Sequence, residues 1–146
     1  MYQRDYILRL IEHLGRTLLM LRDRILGRQQ QHAAVQDEIQ DEIRAIAARA
    51  SIDLDGARAV DLVTLRLLMS FAGDLDPARC WLTAELLYLE GLDKHQKNPV
   101  IAAPDLTRAL DLYRMLPPDW QPFEELPPSR QRIAEIERLL ADVQVR

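Results

Sequence analysis

The chain has 146 residues, 48% hydrophobic and 29% charged with only 5 Gly, the make-up of one globular domain with its own core. Net charge is −4, the single Cys80 cannot close an internal disulfide, and no apolar run reaches the ~18–20 residues that cross a bilayer. A disulfide scaffold and a membrane-spanning helix are excluded, and a single domain over 1–146 in the cytoplasm is expected.

Ala, Leu, Arg, Glu and Gln dominate and β-branched runs are few, so the fold class is all-α, with about six helices. Charge is uneven. Residues 1–28 hold six Arg against three acids, and residues 29–61 hold three Arg against seven acids. Two helices that complement each other when packed explain this; a basic face for an anionic partner is the sharper alternative. The chain lacks both a basic stripe and a platform of stacking aromatics, so nucleic acid is not an expected partner.

The first helix runs from about residue 2 or 5 to 26. Ile7, Ile11, Leu14, Leu18, Leu21 and Ile25 step by four and three, an apolar seam of 3.5-residue period. Packing inside the chain is the plain reading of that seam; a homodimer through residues 7–25 is the alternative. Arg4, Arg9, Arg16, Arg22, Arg24 and Arg28 are too scattered for a headgroup-binding helix, so a membrane surface is not expected. Gly27 fits a helix end. After the polar connection Arg28-Gln-Gln-Gln-His32, a second helix spans about 30–50, with Ala34, Val35, Ile39, Ile43, Ile46, Ala47 and Ala50 on one face. Asp37, Glu38, Asp41 and Glu42 occupy the other, and no Glu is followed three residues on by His, so a di-metal bundle site is absent.

Residues 51–56 read as a loop or a loosened turn. Asp61 caps a third helix reaching Phe71, apolar on most sides through Leu62, Leu65, Leu68 and Met69, and expected to be the buried central element. Gly73 then ends a helix, Asp76 caps the next and Pro77 fills its first turn. This fourth helix carries Trp81, Ala84, Tyr88 and Leu92 at helical spacing, and Gly91 signals fraying or a close helix contact.

Residues 93–103 read as a long connection. Val100 and Ile101 in it either tuck under the helices or mark a partner surface. A fifth helix follows over 104–116. Residues 117–128 carry five Pro and must be extended, a strap that lays Trp120 and Phe123 on the bundle. A last helix over 129–143 closes the stack with Ile133, Ile136, Leu139, Leu140 and Val143 inward.

Chemical motifs are missing from the sequence. The glycines form no phosphate loop, and His13, His32 and His95 lie far apart, with no second ligand at metal spacing. Cys80 beside Trp81 reads as a buried, inert thiol. No catalytic residue, cofactor or metal is expected.

The opening Tyr2-Gln-Arg-Asp-Tyr-Ile-Leu-Arg-Leu-Ile-Glu-His-Leu-Gly15, with the later Gly73-Asp-Leu-Asp-Pro77, resembles a family of uncharacterised bacterial proteins, a domain of unknown function. Its members share that start and a helical, tetratricopeptide-like body. Ala109 followed by Tyr113, and Tyr88 before them, are similar to the Ala and aromatic positions of such a repeat, although the 34-residue period is missing. The resemblance implies degenerate helical hairpins and a scaffolding role. The expected function is therefore a non-enzymatic module that binds a protein or peptide. Its groove lies beside the fourth and fifth helices and involves Glu85, Tyr88, Arg108, Tyr113, Arg114, Val100 and Ile101. The alternative is a small-ligand binder or enzyme with a cavity roofed by residues 93–103.

Overall fold

The computed structural model describes the backbone of residues 2–27 and 33–145 and the side chains of residues 6–27 and 38–143. The connection Arg28–His32 and the side chains of Arg4, Ala34, Val35 and Asp37 lie outside the described residues. Among the described residues there are seven helices and one minimal hairpin: α1 (Tyr2–Gly27), α2 (Ala33–Arg49), α3 (Leu54–Ala59), α4 (Leu62–Leu68), β1 (Ser70–Phe71), β2 (Asp74–Leu75), α5 (Pro77–Lys97), α6 (Pro99–Tyr113) and α7 (Ser129–Val145).

The axis of the fold is α5. Every residue from 80 to 93 is buried, so this helix has no solvent face over nearly four turns. Its sequence allows that because Cys80, Trp81, Leu82, Ala84, Leu86, Leu87, Tyr88, Leu89 and Leu92 cover all sides, and a helix apolar all round must be surrounded. Around it stand α1, α2, α6 and α7. The start is set as the sequence indicates: the Arg79 amide donates to the Asp76 carboxylate at 3.4 Å and Pro77 sits in the first turn.

The seam of α1 is spent inside the chain. Ile7, Ile11, Leu18, Leu21 and Ile25 are each at most 1% exposed, so the proposed homodimer stripe over 7–25 is not available to a second copy. The Tyr6 hydroxyl donates to the Arg49 carbonyl at 2.9 Å, while Arg24 pairs with Glu42 at 3.1 Å and Glu38 at 3.8 Å. These contacts set α1 and α2 antiparallel, and they put the basic helix against the acidic one.

No long connection divides α5 from α6. Asn98 alone separates them, ending α5 and capping α6 with its side chain, which accepts from the Val100 amide at 3.0 Å. Residues 93–97 are the last turn of α5, where Lys94, His95 and Lys97 suit the negative end of the helix. Pro99 opens α6 at its first turn, and Pro104 lies inside the helix rather than at its start. Pro104 leaves the Val100 carbonyl without its amide partner, on an outer turn where Val100 and Ile101 are 61% and 59% exposed. The roof expected at 93–103 is therefore two abutting helix ends, and Val100 and Ile101 do not tuck under anything. Gly91 makes the close contact of this hairpin: a Cβ there would stand 2.7 Å from Cδ2 of the buried Leu106.

The region 51–75 departs most from expectation. Residues 51–56 run into α3, whose N-cap Asp53 accepts from the Gly56 amide at 2.9 Å. Asp61 caps α4, accepting from the Thr64 amide at 2.7 Å. That helix is not central. It ends at Leu68, and only Leu65 within it is buried, with Met69 just beyond. Seven residues make two turns, which are enough to anchor one side chain and too few to cross a core. Gly73 ends no helix; with Ala72 (φ 53°) it makes a two-residue turn at φ 88° that joins β1 to β2, pairing Phe71 with Asp74.

Residues 117–128 lie on the bundle as a strap but are not extended: the Trp120 amide donates to the Pro117 carbonyl and the Leu126 amide to the Phe123 carbonyl, both at 3.0 Å, so the segment is a run of turns between its prolines. Leu126 is buried against Gly15 of α1, and Trp120 and Phe123 pack partly buried on the core. The Gln121 amide holds the strap in a tight coil by donating to the carbonyls of Phe123, Glu124 and Leu126 at 2.9, 3.1 and 3.0 Å. Ser129 then starts α7 with its hydroxyl on the Pro117 carbonyl at 2.7 Å. No described helix is long and apolar enough to cross a membrane.

Candidate interaction surface

Three of the residues expected to line a groove are interior. Glu85 is 1% exposed, and Tyr88 and Tyr113 are fully buried. They belong to a polar cluster that ties α5, α6, α7 and α1 together. Arg132 of α7 grips Glu85 with Nη2 at 2.7 Å and Nε at 3.1–3.2 Å, and Tyr113 donates its hydroxyl to the same carboxylate. The Arg132 guanidinium also lies 4.5 Å over the Tyr88 ring, whose hydroxyl accepts from Arg22 Nε at 2.8 Å. Arg22 continues to Glu135 at 2.8 Å. Burial alone would lower the Arg132 pKa, and the facing Glu85 carboxylate more than offsets it and raises it. Burial and then the same carboxylate push the Tyr113 phenol well above its usual range. A cluster so closed offers a ligand nothing to touch.

Arg108 is also structural. Its Nη2 donates to the carbonyls of Val60 at 2.7 Å and Arg58 at 3.3 Å, pinning the end of α3 to α6. Beneath it Arg58 joins Asp105 at 2.6 Å, Asp55 at 2.6 Å and Glu90, and Lys94 shares Asp105 at 2.6 Å. Arg114 alone of the expected polar set is open, facing Glu137 at 3.4 Å on the surface.

Chemistry finds little to work with. Burial pushes the Cys80 thiol up to about 12, and its Sγ donates to the Leu112 carbonyl at 3.2 Å. Among the described residues no three His, Cys, Asp or Glu side chains could share a metal ion. Shallow furrows of about 560, 470 and 310 Å³ run along α1 beside the strap and α7. They share walls at Leu19, Leu126 and Arg22, and charges of both signs line them.

The outward face of α4 and the hairpin is different in kind. Leu62, Val63, Leu67 and Leu68 are 54, 74, 68 and 47% exposed, and Phe71 adds 37%. Val63 and Leu67 stand one turn apart on the side opposite Leu65, a ridge of aliphatic side chains. Scattered apolar residues need no explanation, but here Val63 and Leu67 crown the outer side while Leu62 and Leu68 flank the anchored Leu65, so one short helix presents apolar side chains around most of its girth. The local fold holds them there. Asp61 fixes the helix start, its carboxyl pKa lowered by the Thr64 amide, and the Ala72–Gly73 turn brings Asp74 back to pair with Phe71. The Asp76 amide closes that unit by donating to the Met69 carbonyl at 2.7 Å.

Comparison with protein-family models, with curated proteins and with solved structures gives no match for this chain. The patch and Arg132 are what sequence reasoning missed. A signal existed for each. Arg132 precedes the buried Ile136 by one turn and so shares its core face. The Val63–Leu67 pair is more apolar surface than so short a helix can bury.

Proposed function

We propose that the chain is a non-enzymatic protein-interaction module whose docking face is α4 with the β1–β2 hairpin. The observation that carries this reading is the exposure of Leu62, Val63, Leu67, Leu68 and Phe71 on one small, locally fixed unit. The rest of the molecule acts as its support: a helix buried on every side, clamped by ion pairs, gives a rigid base for a presented surface. In keeping with that role, α5 and α6 form a tetratricopeptide-like hairpin. Its support is the one-residue turn at Asn98 and the close Gly91–Leu106 contact. The resemblance carried by the opening motif belongs to the same proposal.

A photo-crosslinking residue at position 67, in the native host, tests it against the same residue at Arg9 on the exposed side of α1. Discrete protein adducts at 67 and none at 9 are expected. Equal labelling at both positions, or none at 67, contradicts the reading.

A further inference from the structure

We infer that the furrow between α1 and the strap binds a small apolar monoamine, a single ammonium group on an alkyl or aryl body; the α4 face plays no part in this site. The furrow holds about 560 Å³, within the range of small-molecule sites. Leu19, Phe123 and Leu126 give it an apolar floor. Its rim carries Glu12 and Arg16 of α1 and Glu125 of the strap.

The walls are formed without a ligand. Leu126 is buried against α1 at Gly15, where an added Cβ would stand 3.4 Å from its Cδ1. Across the furrow the Gln121 amide braces the strap through the carbonyls of Phe123, Glu124 and Leu126. Phe123 is half-buried in that coil, which leaves part of its ring open to an occupant.

Charge selects the class of ligand. Glu12, Arg16 and Glu125 are exposed, and among the described residues no hydrogen bond or ion pair engages their side chains. The neighbouring furrow of about 470 Å³ differs, because its Arg22, Arg130 and Arg132 are already bound to Glu135, Asp119 and Glu85. Two carboxylates and one guanidinium leave an excess of one negative charge at the rim, which one ammonium group balances. An anion would meet that excess, and a diamine would bring a second cation towards Arg16. The body of the ligand covers Leu19 and Phe123, where apolar burial and the attraction of a cation for a ring face both act.

A two-dimensional NMR titration of the isotope-labelled full chain with phenethylamine, near neutral pH and at low salt, tests this. Saturable shifts over residues 11–19 and 121–126 are expected, with a Kd of about 1 mM for so small a ligand. Phenethyl alcohol and hydrocinnamate keep the ring and lose the cation, and each should bind at least about threefold more weakly, the value of an exposed charge pair. Glu12→Gln and Glu125→Gln should each weaken the amine about threefold, and together about tenfold, with the spectrum otherwise unchanged. Glu137→Gln, exposed on α7, should bind as the parent does. No saturable shift, shifts centred outside the furrow, equal binding of the alcohol or the acid, or parental affinity in the double variant would each overturn the inference.

Discussion

Arg132 and Glu85, 47 positions apart, meet in the core with Nη2 2.7 Å from Oε1 and neither side chain more than 2% exposed. The pair locks the closing helix α7 to the central helix α5, and Tyr113 brings α6 into the same lock. Removing one partner leaves the other charge buried without compensation, whereas replacing the whole set removes the charges together. Arg132→Met should therefore cost about 3–5 kcal/mol in urea unfolding. The triple change Arg132→Met, Glu85→Leu and Tyr113→Phe should recover most of that loss. A single variant within about 1 kcal/mol of the parent would show that the pair does not hold α7 in place.

Glu135 makes a pH-dependent contribution of known sign. Burial raises its pKa above 4.5, against the opposing pull of Arg22, and its Oε2 has no hydrogen-bond partner among the described residues. The folded state thus holds this proton more tightly than the unfolded state. That stabilisation is complete below the unfolded pKa and disappears as pH rises through the raised folded value. Glu135→Gln, uncharged throughout, should gain thermal stability relative to the parent as pH rises across that window. A relative loss over the same window would contradict the burial argument.

Gly91 is required by the approach of α6. An added methyl group would meet Cγ and Cδ2 of the buried Leu106 at 2.8 and 2.7 Å, with the Leu106 amide nitrogen at 3.3 Å. Alanine favours a helix by about 1 kcal/mol over glycine, yet overpacking of this kind costs about 1–3 kcal/mol. Gly91→Ala should lower the melting temperature, and adding Leu106→Ala should restore room while costing buried area. An increase in melting temperature for the single variant would place the two helices farther apart.

Much of the scaffold was legible in the sequence because it rests on local rules. The seam of α1, the caps at Asp61 and Asp76, the proline strap and α7 all follow from periodicity and backbone chemistry. The long connection at 93–103 was misread because Lys94-His-Gln-Lys97 is polar, and polarity marks a helix end as well as a loop. Asn98 serves as cap to both neighbours, so one residue does the work of a turn. The centre was misplaced because 62–69 and 80–92 are both apolar all round, and composition does not say which has neighbours. Length decides it: two turns make a ridge, and nearly six make an axis. The expected groove residues Glu85, Tyr88 and Tyr113 looked functional as polar and aromatic groups on paired helices. Their partners Arg132 and Arg22 come from distant parts of the chain, and only the fold brings them together.

The most direct test of the α4–hairpin face as the working surface is amide hydrogen exchange, compared between the free chain and the chain carrying its protein adduct at position 67. A short helix with most of its side chains in solvent exchanges quickly by local opening, and docking should slow it. Protection at residues 62–75 in the adduct, with α1 and the strap unchanged, is the predicted result. Protection confined to the furrow between α1 and the strap, or no change anywhere, would contradict the account.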